Sequence, residues 1–331
     1  MAGRRSVFGN ARVRELAQQF VCAADETWRL QNGTGPECRF FQTFAVKGHY
    51  KGAGGTKQGY YVVAPSGKLL ASANTRAGGA IVEMLEKGLA AWRELSPADR
   101  KLPDPATFRP SHRWEHSYPE RGLVLERFAR DLGGTDQRWN RDHAWFTERE
   151  ARSMLPLKLA PGGYTDLARP LALRLARFHL VDNVRGQTLP FAPSEIEQAE
   201  IRLTITKRDG HRIELAIRGH THANAKGKWL LGKTDWTPTQ EYPRTLTTRL
   251  LGTARYDFKV DRFTSFELIA LGTRTGRTGN CGRNKKDPPA TPIGFYFRLA
   301  KPGVRIAPTF LEFYPAQWVK RPQNQGYGEH H

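Results

Sequence analysis

Sulfur is scarce in this sequence. Of 331 residues, 3 are cysteine and 3 are methionine, and Cys22, Cys38 and Cys281 form no C-x-x-C or C-x-x-C-H spacing. Redox, zinc and c-type haem chemistry therefore have no sequence signature here. The odd count suggests idle or buried thiols more simply than a disulfide framework, although a Cys22–Cys38 bridge is geometrically allowed. Long apolar runs are missing as well. None approaches the roughly 18 residues of a membrane span, and the opening Met1-Ala2-Gly3-Arg4-Arg5 has no signal-peptide h-region. As written, the chain is expected to be soluble and cytoplasmic, or exported if a signal peptide has been removed. Acidic residues are also in deficit. Against 52 Lys and Arg stand 32 Asp and Glu, a formal net charge of +20. A field of that sign attracts nucleic acid, acidic polysaccharide, anionic lipid or an acidic protein. Basic residues spread evenly for solubility would give the same sum.

Aromatic residues are plentiful: 8 Trp, 10 Tyr and 17 Phe stand within a hydrophobic content of 39%. That is enough apolar surface to offset chain entropy, and the length suits two domains with separate cores. Near the amino terminus Val13, Leu16, Ala17 and Phe20 recur at helical spacing, and Phe20-Val21-Cys22-Ala23-Ala24 then reads as a buried strand. After a Gly-rich spacer from Gln31 to Gly55, Gly59–Val63 and Lys68–Ala71 form two β-rich runs around Ala64-Pro65-Ser66-Gly67, a hairpin turn. An amphipathic helix follows, with Ile81, Met84, Leu85, Gly88, Leu89 and Trp92 on one stripe.

The order helix, strand, spacer, hairpin, helix, together with the run from Thr56 to Ala71 and the passage from Arg14 to Asp25, resembles bacterial thioredoxin-like proteins. The likeness covers roughly residues 5–95. It implies a thioredoxin-like α/β domain. The family's C-x-x-C is replaced by Ser6-Val7-Phe8-Gly9-Asn10, and no proline precedes the hairpin at Thr56-Lys57-Gln58-Gly59. The resemblance therefore implies a scaffold or binding module without thiol exchange.

A polar, proline-rich stretch from Ser96 to Pro110 marks the boundary. The expected division is a first domain over 1–95, a linker over 96–112, a β-rich domain over 113–319 and a tail over 320–331. In the second domain Leu123–Phe128 reads as a strand, Thr147-Glu148-Arg149-Glu150 as a capping box, and Asp166–Leu180 as a helix with Pro170 near its start. The period then becomes alternating. Ile201–Thr206 and Ile213–Arg218 flank Asp209-Gly210, a hairpin signal, and strands follow over Leu246–Tyr256, Phe263–Leu271 and Ile293–Phe297. The fold class is α+β, with a mostly antiparallel sheet that keeps one wet face. Arg141–Thr147 and Arg177–Gly186 also look like an extension carried by bacterial thioredoxin-like proteins; no activity is carried over with it.

Three constellations bear chemistry. Asp142, His143, His179 and Asp182, with Asn183 and Arg185, flank expected helix ends and would serve a general base or a metal if they converge in one cleft. As capping carboxylates and a hydrogen-bonded histidine they would be structural. His220 and His222 share one side of a strand, as a copper or zinc pair or as part of a solvated turn. Arg274, Arg277, Arg283, Lys285 and Lys286 in a Gly-rich stretch, with Lys226, Lys228 and Trp229, would grip a polyanion by charge and stacking, or form a basic loop with no partner. No nucleic-acid motif accompanies them. The readings are a non-redox binding or structural protein, a polyanion binder of nucleic acid or acidic polysaccharide, or a His/Asp- or metal-dependent enzyme. No cofactor is expected, with room left for a divalent metal; the partner is a polyanion or an acidic protein, and the oligomeric state is open.

Overall fold

The computed structural model describes residues 7–8, 10–25, 27–50, 55–102, 104, 117–132, 139–184, 188, 190–228, 241–277, 289–311 and 314. Two compact units meet in sequence between Arg113 and Trp114.

The first unit is built around a two-stranded hairpin, β1 (Tyr60–Val63) and β2 (Leu69–Ala73), closed by Gly67 at φ 85°. Alternation divides its side chains. Val62 and Ala71 join Val13, Ile81 and Met84 in a buried cluster supplied by α1 (Ala11–Ala17) and α4 (Gly78–Arg93). Tyr61, Val63 and Leu69 pack instead against Phe41, Phe44 and Ala45 of α3 (Pro36–Ala45). Asn10 starts α1 by accepting from the N–H groups of Arg12 and Val13. Gly88 lets α4 lie close on the hairpin, since a Cβ there would come within 2.7 Å of Val62. Short helices α2 (Thr27–Asn32) and α5 (Pro97–Arg100) complete the unit.

Two sequence expectations fail here. Residues 21–25 form no strand, and Val21 is fully exposed. The expected spacer contains α3, begun by Pro36 at its first turn and held by its Phe40, Phe41 and Phe44 face.

The second unit is an eight-stranded antiparallel sheet in the order β4-β3-β10-β9-β8-β7-β6-β5. Its strands are β3 (Leu123–Asp131), β4 (Trp139–Phe146), β5 (Tyr164–Asp166), β6 (Ile196–Asp209), β7 (Arg212–Lys228), β8 (Glu241–Asp257), β9 (Arg262–Gly276) and β10 (Thr291–Leu299). Strands β6 to β10 form a meander, and the β3–β4 pair extends it beyond β10. The hairpin at Asp209-Gly210 forms as expected, with Gly210 at φ 53°. One sheet face is closed by α7 (Arg169–Arg174), which continues as a π turn over Leu175–His179. Leu171, Leu175 and Phe178 pack there with Leu203, Ile217, Leu268, Phe295 and Phe297 in one core. Thr147 and Glu150 cap α6 (Glu148–Arg152) reciprocally, as their spacing predicts.

The expected helix over Asp166–Leu180 is shorter: Tyr164–Asp166 pairs with β6, and the α-helical part stops at Arg174. Likewise, Thr273 to Gly276 and Thr291 to Pro292, expected as loop, belong to paired strands. No helix among the described residues is long and apolar enough to cross a membrane.

Candidate functional site

Buried polar residues gather where the π turn meets the sheet. Arg127 of β3 is fully buried; its Nε donates to the His179 carbonyl at 2.9 Å, one Nη to the Val181 carbonyl at 3.1 Å and the other to Asn183 Oδ1 at 3.0 Å. Burial draws the guanidinium down to about 10, opposed by Asp142 and Asp182. Asp142 lies beside Arg127 across the β3–β4 ladder. Its Oδ1 accepts from the N–H and hydroxyl of Thr309 at 2.8 and 3.0 Å, and its Oδ2 faces His179 Nδ1 at 3.8 Å. The other ring nitrogen of His179 meets the Tyr314 hydroxyl at 2.5 Å. Burial, reinforced by Arg127 and Arg174, holds His179 well below the ordinary imidazole range, so the ring is neutral.

An aspartate, a neutral histidine and a hydroxyl in line have the makings of a proton relay. Access decides otherwise. Asp142 is 4% exposed, His179 0% and Tyr314 2%, so a reacting group has no approach to them through the described surface. What the arrangement does accomplish is mechanical: sheet, π turn and the Tyr314 segment are tied by bonds made in the absence of water.

The structure separates the other residues expected in this cleft. Asp142 and His143 lie in β4 and not at helix ends, and neighbours on a strand point to opposite faces. His143 accordingly shares its face with Glu126, its ladder partner, away from His179. It is buried, its ring nitrogens have no hydrogen-bond partner among the described residues, and burial lowers its pKa. Asp182 turns to Arg274, whose Nη donates to it at 2.7 Å while the second Nη pairs with Asp131. Arg274 is thus a buried strand residue neutralised by two carboxylates, which corrects its assignment to an open basic loop. A cavity of about 20 Å³ beside it, lined by Asp182, Thr188, Phe191, Arg244, Thr245 and Arg274 among others, has space for a water molecule.

His220 and His222 stand on one face of β7, in a continuous strand and not a turn. Each faces its own carboxylate: His220 Nε2 lies 3.7 Å from Glu200 and His222 Nε2 lies 3.2 Å from Glu197. Among the described residues no group of three His, Cys, Asp or Glu is placed to hold a metal ion. Cys22 is exposed and Cys38 buried, both as free thiols, so the allowed bridge is not formed. Lys226 is exposed near the end of β7, and Arg277 follows β9 with its N–H on the Pro243 carbonyl. Trp229, Arg283, Lys285, Lys286 and the side chain of Lys228 lie outside the described residues.

The face of the sheet opposite α7 presents a second constellation. Ladder pairing aligns Arg202, Arg218, Leu251, Ile269, Tyr296, Phe128 and Arg141 in one row, each on its own strand from β6 to β4. A neighbouring row runs Glu200, His220, Arg249, Leu271, Gly294, Arg130 and Trp139. Leu132 lies over Gly294, at 3.1 Å from where a Cβ would stand. Leu251 is 62% exposed, Leu271 59%, Ile269 50%, Leu132 48% and Trp139 43%. These exposed apolar side chains adjoin one another on the ladder. The Phe128 and Tyr296 rings stack at 6.4 Å, Trp139 leans on Phe128 at 6.2 Å, and the Arg298 guanidinium covers Phe128 at 5.3 Å.

Charge on this face is uneven. Arg141 and Arg298 share Glu126, and Arg202 pairs with Asp166. Arg218 and Arg249 are exposed and make no ion pair among the described residues. No family model, curated protein or solved structure matches the chain.

No motif marks the exposed apolar residues of this face, yet the sequence carries a trace of them. A half-buried strand alternates, whereas Leu268-Ile269-Ala270-Leu271 and Leu250-Leu251 do not. An apolar pair of neighbours on a strand places one side chain on each face.

Proposed function

We propose that this chain is a non-redox, non-catalytic binding protein whose second unit takes a polyanion on the open face of its sheet. The reading is carried by one observation: exposed Arg218 and Arg249, without ion pairs among the described residues, adjoin exposed Leu251 and Leu271 across the ladder. A net charge of +20 supports it by drawing anions toward the molecule from a distance. The location differs from the basic stretch around Arg274, because that arginine is already paired with Asp131 and Asp182. In this reading the first unit, which the run from Thr56 to Ala71 and the passage from Arg14 to Asp25 liken to thioredoxin-like proteins, is a scaffold with no thiol chemistry.

The test is a salt titration of binding to a labelled polyanion, either a heparin fragment or an oligonucleotide. Affinity is expected to fall steeply between about 50 and about 200 mM NaCl. Arg218→Gln with Arg249→Gln should flatten the log–log slope for a single strand by roughly 1.4, about 0.7 for each phosphate that is no longer neutralised. Binding that ignores salt, or a slope unchanged in the double variant, would refute the reading.

A further inference from the structure

Resting on that reading, we infer that the polyanion is single-stranded nucleic acid, with its bases stacked on Tyr296 and Trp139, which Phe128 supports from between them, and its phosphates held by Arg218 and Arg249. Three features of the face point to this class. The aromatic rings occupy adjacent strands, about 4.8 Å apart in the hydrogen-bonding direction, and form a continuous run from β10 to β4. They are held in place, since Tyr296 donates its hydroxyl to Glu267 at 2.9 Å and Phe128 is packed between Tyr296, Trp139 and Arg298. Finally, the cations without ion pairs stand on β7 and β8, to one side of the rings, separated from them by Leu251, Ile269 and Leu271. A ligand that fits must offer flat apolar faces and negative charge along one chain.

Single-stranded nucleic acid has that form, since every base has a π-face and the sugar-phosphate backbone carries the charge. A duplex hides its base faces within the stack and offers phosphates alone. An acidic polysaccharide likewise has charge without aromatic faces. A second copy of this chain is opposed by charge: an isologous contact would bring arginines of one face toward arginines of its equal. Of the carboxylates on the face, Glu126 is neutralised by Arg141 and Arg298, Glu267 accepts from Tyr296, and Glu200 faces His220 at 3.7 Å.

The full-length protein is tested by fluorescence anisotropy against a thymidine oligonucleotide of about 20 residues, long enough for several stacking contacts. An abasic strand of equal length, the matching duplex, a heparin fragment and poly-glutamate serve as competitors. Trp139→Ala and the volume-conserving pair Phe128→Leu with Tyr296→Leu are compared with Arg218→Gln plus Arg249→Gln, each first shown to keep the parental melting profile. The expected result is that the single strand binds best, that abasic competitor is at least about tenfold weaker, and that removing an aromatic costs about tenfold. The aromatic variants should leave the salt slope unchanged. Should the abasic strand, the duplex or heparin compete as well as the single strand while the arginine variant still loses affinity, the stacking inference fails and the polyanion reading stands. Preferential binding of poly-glutamate overturns the inference in favour of an acidic protein. If neither oligonucleotide nor heparin binds, the parent reading fails as well. Loss of melting in the Phe128 and Tyr296 pair leaves the abasic comparison and Trp139→Ala to decide.

Discussion

A buried imidazole with no hydrogen-bond partner costs free energy that an apolar side chain of similar size would not. His143 is in that position: it is 1% exposed and its ring nitrogens are without partners among the described residues. His143→Leu is therefore expected to leave stability at pH 7 unchanged or to raise it by about 1 kcal/mol. Its acid response follows from linkage. The folded state holds the pKa of both His143 and His179 below the ordinary value, chiefly through burial. Below about pH 6.5 the unfolded chain thus binds more protons than the folded one, and stability falls with pH by up to about 1.4 kcal/mol per unit for each histidine. Above that pH neither histidine adds a pH dependence to stability. Urea denaturation from about pH 7.5 to about pH 5 should show this decline, and His143→Leu should remove part of it. An identical pH profile in the variant would show that His143 does not carry the effect. The sequence could nominate Asp142, His143 and His179 as a polar group, but not divide them. Read as helix-end residues, Asp142 and His143 can converge; as neighbours in β4 they diverge.

At the scale of elements, three of the hydrogen bonds that tie the end of the π turn and the residues after it to the sheet come from one side chain. Arg127 supplies donors to His179, Val181 and Asn183, and without it these acceptors are buried with one donor fewer each. Arg127→Met should destabilise the second unit by about 3–5 kcal/mol, with Arg127→Lys little better, since one ammonium cannot span the three directions. By contrast, Thr147→Ala, which removes the cap of α6, should cost about 1 kcal/mol. Shifts in urea midpoint check both; equal losses from Arg127→Met and Thr147→Ala would show that the arginine is not the main tie. Elements with local causes were legible. The capping box at Thr147 and the turn at Asp209-Gly210 each need few residues, and both form. Two others depend on tertiary context that the sequence does not display. Val21-Cys22-Ala23 has strand propensity but no partner strand, and α3 was hidden by the glycines on either side of it, Gly33, Gly35 and Gly48. The apolar outer positions of β8 and β9 become meaningful as a surface when the ladder sets Leu251 beside Ile269 and Ile269 beside Tyr296.

For the whole molecule, the question is whether two units in sequence are two units in energy. The buried clusters are segregated: one draws its residues from Leu123 to Tyr314, the others from Val7 to Met84. No buried side chain of one set belongs to another among the described residues, so each unit has a core of its own. The first unit is the poorer of the two, because its hairpin divides a small apolar set between two faces, and a small core offsets less chain entropy. Urea denaturation of the intact chain is therefore expected to proceed in two steps, the first unit opening at lower urea. A fragment from Trp114 to His331 should reproduce the second step at the same midpoint. Because Arg218, Arg249, Phe128, Tyr296 and Trp139 all lie in that fragment, it should also retain most of the affinity for the polyanion, with the same salt slope. One cooperative transition in the intact chain, together with a fragment that does not fold, would mean that the boundary divides the polypeptide and not its stability.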